Sequence, residues 1–170
     1  MKGGMMIISA KMQDALNAQI GMEFSASIKY DAMAAYFEAE ALPLLAKHFF
    51  KQATEEREHA HKFLRYVLDA GGRVEIPAIP APPHTYKSAA EAAQTALDSE
   101  VVVTKSINAI MDLAIAEKDH ATAAMLQWFV TEQVEEISSA DQLLRIIERA
   151  GAKNMLLVED YLADTGAHEG

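Results

Sequence analysis

Apolar residues recur along most of the chain at alternating spacings of four and three, the rhythm of helices that bury one stripe against their neighbours. Leu45, Phe49, Gln52, Glu56, His59, Phe63, Tyr66 and Ala70 keep it in one stretch. Ala93, Leu97, Glu100, Thr104, Ile107 and Met111 keep it in a second, and Met125, Phe129, Gln133, Glu136, Ala140, Leu143 and Ile147 in a third. A further stripe, Leu16, Ile20, Glu23, Ser27, Tyr30 and Ala34, is the weakest, because Ser27 and Ala34 are small.

The stops between stripes predict five helices. The first runs from about Ser9 to Ala41, and the second starts at Pro43 and stops at Gly71 and Gly72, which suit a helix end. The third begins at Ser88, with Glu91 completing a capping box, and runs to about Glu117. A polar break at Lys118 and Asp119 precedes the fourth, which ends at Gly151, and a short fifth occupies about 153–163. The segment from Arg73 to Lys87 holds Pro77, Pro80, Pro82 and Pro83 and cannot be helical. Its roughly 15 residues reach about 50 Å when extended, whereas a helix of about 28 residues is about 42 Å long. The second and third helices can therefore lie parallel. The expectation is an all-α four-helix bundle over about 9–150 with one long crossover, within a single domain spanning 1–170.

The candidate chemistry lies on the seams. Each stripe carries one acidic residue, Glu23, Glu56, Glu100 or Glu136, and His59 follows Glu56 by one turn. Buried ionised carboxylates are costly unless paired, hydrogen-bonded or bound to metal, and one shared cation cluster answers for all of them. A single Glu-x-x-His is weak by itself; matching acids on three other helices make the pattern specific. Glu23, Glu56 and His59 are assigned to one metal, and Glu56, Glu100 and Glu136 to a second, with Glu56 as the bridge. The small Ser27 and Ala34 leave room beside the carboxylate for a metal and oxygen. Glu23 precedes Glu56 by 33 positions and Glu100 precedes Glu136 by 36, an approximate duplication broken where the first motif is Glu56-x-x-His59 and the second Gln133-x-x-Glu136.

Composition narrows the choice of ion. The chain of 170 residues has no cysteine, which removes thiolate ligands and disulfides. Oxygen donors with one imidazole suit iron or manganese over copper, and iron is preferred because two ferrous ions can each give one electron to dioxygen. A formal charge of −10 argues against nucleic-acid binding. No stretch has the length of a membrane span or a secretory signal, so no membrane is expected and a cytoplasmic location is. The remaining histidines, His48, His61, His84, His120 and His168, lie off the seam or in loops.

The chain resembles the non-haem ferritins of bacteria and archaea over nearly all its length. The resemblance rests on Leu16-Asn17 with Glu23, on Glu55-Glu56-x-x-His59, on Glu100, and above all on the run from Leu126 to Glu136. It implies a ferroxidase that oxidises ferrous iron with dioxygen or hydrogen peroxide and stores ferric mineral in a homo-oligomeric shell of roughly 24 subunits. It further implies a third iron site from Glu55, Glu132 and Glu135, with Gln133 counted beside the second metal and Tyr30 able to hydrogen-bond or give an electron; the third site competes with a plain solvated acidic edge. Trp128 and Tyr30 are weighed equally as core aromatics. Glu117 and Asp119 are weighed as the lining of an iron access channel. Haem is not expected, because bacterioferritins bind it through a methionine that follows the second-helix glutamate, and this chain has Arg57 there. Two alternatives stay open: a di-iron or di-manganese oxidase or peroxidase without storage, and a non-catalytic scaffold whose glutamates face solvent.

Overall fold

The computed structural model describes residues 6–166. It contains α1 (Ala10–Ala39), α2 (Pro43–Asp69), α3 (Ala89–Glu117), α4 (His120–Ala150), a 3-10 turn (Ala152–Asn154) and α5 (Met155–Gly166), with no strand among the described residues. None of these helices is long and apolar enough to cross a membrane.

Local chemistry sets the ends. Ser9 caps α1 by accepting from Met12 N at 3.0 Å. The helix stops slightly before the expected Ala41, because Ala41 adopts a left-handed φ of 60° that turns the chain into Pro43. Gly71, at φ 78°, closes α2. Ser88 caps α3 as expected, but the reciprocal bond of Glu91 goes to Lys87 N, one residue earlier than in a standard box. Lys118 ends α3 in the left-handed region, and Asp119 caps α4 through Thr122 N. The 3-10 turn occupies the start of the expected fifth helix, so α5 begins at Met155 and continues past Ala163.

Cross-links fix the topology. Ile7 N bonds to Ala70 O, and Ser27 to Ala53 O, so α1 and α2 are antiparallel. Ser9 bonds to Glu117, and Lys29 to Ser99, so α1 is also antiparallel to α3. Thus α2 and α3 run parallel, as the long crossover requires. That crossover is seated on α1: Gln13 accepts from Arg73 N at 2.7 Å, and Asn17 bonds both Arg73 O and Glu75 N. Pro77 then lies against Gly21, where an added Cβ would stand 2.2 Å from Pro77 Cγ. A side chain at position 21 would lift the crossover.

The weakest stripe turns out to be fully buried, every member from Leu16 to Ala34 included. Helix α1 also buries Met12, Asn17, Gln19, Ala26, Met33 and Phe37. It lies between α2 and α3 and is covered on more than one side, so its pattern is not that of a one-faced helix. Two apolar clusters fill the bundle, one around Phe37, Phe49 and Leu143, the other around Leu16, Phe63 and Leu126. The buried polar residues of the seams belong to neither cluster and form a layer between them.

Candidate metal centre

Glu23, Glu56, His59, Glu100, Gln133 and Glu136 are all buried. A scaffold with solvent-facing glutamates is therefore excluded. Ligand atoms of Glu23, Glu56 and His59 lie within 4.8 Å of one another. Those of His59, Glu132 and Glu136 satisfy the same limit, so His59 stands between two groups. Its Nδ1 is 3.4 Å from Glu56 Oε2.

The layer is electrostatically unsettled by itself. Burial pushes Glu23 well above the ordinary carboxylate range, and repulsion from Glu56 adds to it. Burial and then Glu100 do the same to Glu56. Glu136 is raised to about 7, again by burial first and Glu100 second. Glu23 Oε2 and both Glu56 oxygens meet no hydrogen-bond donor among the described residues. Without a cation, burial and mutual repulsion favour the protonated forms of this pair. A divalent ion would supply the missing partner and favour the ionised forms of all these groups.

Glu100 is held differently. Its Oε1 accepts a short bond from Tyr30, and its Oε2 faces Gln133 Nε2 at 3.3 Å. Gln133 is anchored in turn by Thr104 Oγ1 at 3.0 Å. These bonds partly offset the burial that raises Glu100. Tyr30 is itself raised well above its ordinary value, by burial and then by Glu100, and stays a donor. Gln133 thus touches Glu100 and Thr104 and serves as a support for the carboxylate.

The residues of the expected third grouping have these surroundings. Glu132 sits with His59 and Glu136, Glu55 accepts from Gln52 at 2.6 Å and lies 3.8 Å from Lys51, and Glu135 is exposed. Burial raises Glu55, with Lys51 opposing. The Ser27 hydroxyl donates to Ala53 O at 2.6 Å and ties α1 to α2. A small cavity lies beside Tyr30, Phe49, Ala96, Glu100, Glu136 and Leu143.

Trp128 is 41% exposed, so it is no core residue. Its ring meets His59 edge-on at 5.4 Å and carries Lys62 Nζ at 3.2 Å from its centroid. His61, His84 and His120 are exposed, and His48 is half-buried against Phe49; His168 falls outside the described residues. Glu117 accepts from Ser9, Asp119 caps α4, and both line an open surface cavity together with Ser9, Lys118 and His120. The reading of the sequence missed Gln19, fully buried, whose Nε2 donates to Glu23 Oε1 at 2.8 Å. Its position four residues before Glu23 on the same helix face is the signal that would have found it.

Known proteins share this sequence and fold. Residues 13–150 match the ferritin-like domain family. Ferritin BfrB of Mycolicibacterium smegmatis is 40% identical over 156 residues, covering 92% of this chain and 86% of the relative. A bacterial non-heme ferritin of Staphylococcus aureus is 36% identical over 145 residues, 85% of this chain and 87% of the relative. An open pore ferritin of Archaeoglobus fulgidus superposes with a TM-score of 0.89 at 37% identity, covering 93% of this chain and 98% of that one. With the crossover-linked bundle and its buried acidic layer, these matches show that the chain belongs to the ferritin family.

Proposed function

We propose that this protein is a ferroxidase that stores iron. Ferrous iron is the substrate: Glu23, Glu56 and His59 hold one ion, and Glu56, Glu100 and Glu136 the other, with Glu56 bridging. Two ferrous ions each lose one electron, and one dioxygen takes both, with two protons, to become hydrogen peroxide. The ferric product passes to a mineral inside a homo-oligomeric shell in the cytoplasm. Glu132, placed beside His59 and Glu136, joins Glu55 and Glu135 in taking a further iron ion. Arg57, at the position that holds a haem-binding methionine in bacterioferritins, keeps haem out of the scheme. The whole chain, 1–170, acts as one domain.

The observation that carries this reading is the set of buried oxygens without donors, on Glu23 and Glu56, at the meeting point of the bundle's seams. Such groups are destabilising in an apoprotein and become ligands when a cation arrives. Each residue has a defined task. Glu56 presents two oxygens without hydrogen-bond donors, Tyr30 and Gln133 each hold one oxygen of Glu100, and the two apolar clusters exclude bulk water.

Anaerobic titration with ferrous iron, followed by rapid mixing with air-saturated buffer, tests it. The wild-type chain should bind at least two ions per subunit and oxidise them quickly. Glu56→Ala, which removes the bridge, should oxidise iron only at the slow rate of buffer. Near-normal initial rates in that variant would sink the proposal.

A further inference from the structure

Gln19 makes one bond where its amide can make several. Its Nε2 donates to Glu23 Oε1 at 2.8 Å, its Oε1 has no hydrogen-bond partner among the described residues, and the residue is fully enclosed. A buried amide acceptor left without a donor costs stability, and a methionine or leucine would fill similar space without that cost. Where a local rule of stability is broken in a well-packed core, function is the usual reason.

The bond divides the Glu23 carboxylate. Oε1 is engaged by the amide, and Oε2 is the oxygen with no partner. We infer that Gln19 is a positioning residue that makes Glu23 a one-oxygen ligand, tethering Oε1 so that Oε2 alone meets the incoming divalent ion. Turning the carboxylate to offer both oxygens to one ion would break the amide bond. The opposite half of the bundle has a counterpart: Gln133 contacts Glu100 Oε2 at 3.3 Å, with the difference that Tyr30 engages the other oxygen. On α1 no hydroxyl plays that part, and Glu23 Oε2 is left available.

The inference rests on the proposed metal-binding role of Glu23, and its test keeps the two apart. Metal-free wild type, Gln19→Met and Gln19→Leu are titrated with cobalt(II), which reports its coordination through its visible ligand-field bands. Thermal unfolding of the three metal-free proteins is recorded alongside. Wild type should bind two ions. In the variants one of the two should bind about 10–100-fold more weakly, the loss typical of removing a group that orients a ligand. The bands of that ion should change as Glu23 brings in its second oxygen, while both metal-free variants should still fold cooperatively, any change in unfolding temperature reflecting the balance between relief of Gln19 Oε1 and the donor lost to Glu23 Oε1. Variants with wild-type affinity and bands would overturn the inference and leave the proposed function standing. Weaker binding with unchanged bands, or failure of both variants to fold, would also overturn it, since Gln19 would then be a structural residue. Absence of cobalt binding by wild type would instead overturn the proposed function.

Discussion

Glu136→Gln is expected to stabilise the metal-free protein in mildly alkaline buffer and to leave it nearly unchanged in acid. Glu136 is only 8% exposed, and burial, followed by repulsion from Glu100, lifts it from 4.5 to about 7. A carboxyl group raised in the folded state contributes stability that is fully present below its unfolded value and is lost as pH rises through its folded value. The window here is the interval from 4.5 to about 7. At about 1.4 kcal/mol for each pH unit, this displacement corresponds to about 3 kcal/mol. For a chain of this size, roughly 2–4 °C of unfolding midpoint accompanies each kcal/mol, so the expected gap is roughly 6–12 °C. Glu23, Glu56 and Glu100 are raised as well, so wild type should lose stability with rising pH beyond the part that Glu136 accounts for.

Differential scanning calorimetry of both proteins, in chelator, from about pH 5 to about pH 8.5, gives the gap directly. Comparing the two proteins at each pH cancels effects that subunit contacts and other carboxyl groups share. The gap should open as pH rises, and a divalent cation added to wild type should close it by binding the folded state. A gap of constant size, or one that narrows with rising pH, would refute the argument that Glu136 is held protonated by its surroundings.

Three other outcomes follow from particular contacts. Gly21→Ala places a methyl 2.2 Å from Pro77 Cγ and 2.8 Å from Pro77 Cδ; it should cost about 1–3 kcal/mol and speed amide exchange at Arg73 and Glu75, and unchanged exchange there would show that the crossover is not seated on α1. Glu159→Ala removes the carboxylate that accepts from Leu44 N at 2.8 Å and Leu45 N at 2.9 Å; about 0.5–2 kcal/mol should be lost, with faster exchange at those two amides, and protection equal to wild type would count against the cap. Glu135→Ala should spare the first oxidation turnover and alter later ones in a multi-turnover oxygen-uptake assay, and an unaltered time course would remove Glu135 from the third iron site.

The seams of α2, α3 and α4 were legible because each of those helices buries a recognisable stripe, and a carboxylate on a buried stripe is visible as an exception to its neighbours. Helix α1 was harder to read because burial on several sides erases the periodicity that a one-faced helix shows. The crossover's length gave the topology, but not its docking. That depends on Gln13, Asn17 and Gly21, which stand at successive turns of α1 and read in sequence as two ordinary polar residues and a helix-weakening glycine. Gln19 was missed for a related reason, since a polar residue beside a buried carboxylate looks like surface until the far side of the helix is known to be covered. The cap from Glu159 was beyond reach, because it joins α5 to the start of α2 across more than a hundred residues.

The broken duplication has a consequence for how the layer would fill. In the α1–α2 half, Glu23 and Glu56 keep three oxygens without donors beside His59. In the α3–α4 half, Glu100 already has a partner on each oxygen, Tyr30 on one and Gln133 on the other. A cation meeting Glu23, Glu56 and His59 finds oxygens without donors, while one meeting Glu100 must displace or share a hydrogen bond. Under the proposed function, the two ferrous ions therefore bind unequally, the α1–α2 side first. Loading that side turns Glu56 into a bound, ionised carboxylate, and its remaining oxygen becomes a better donor for the second ion than the protonated pair could offer. Unequal halves in a nearly duplicated bundle thus give an order of filling to a site that perfect symmetry would leave without one.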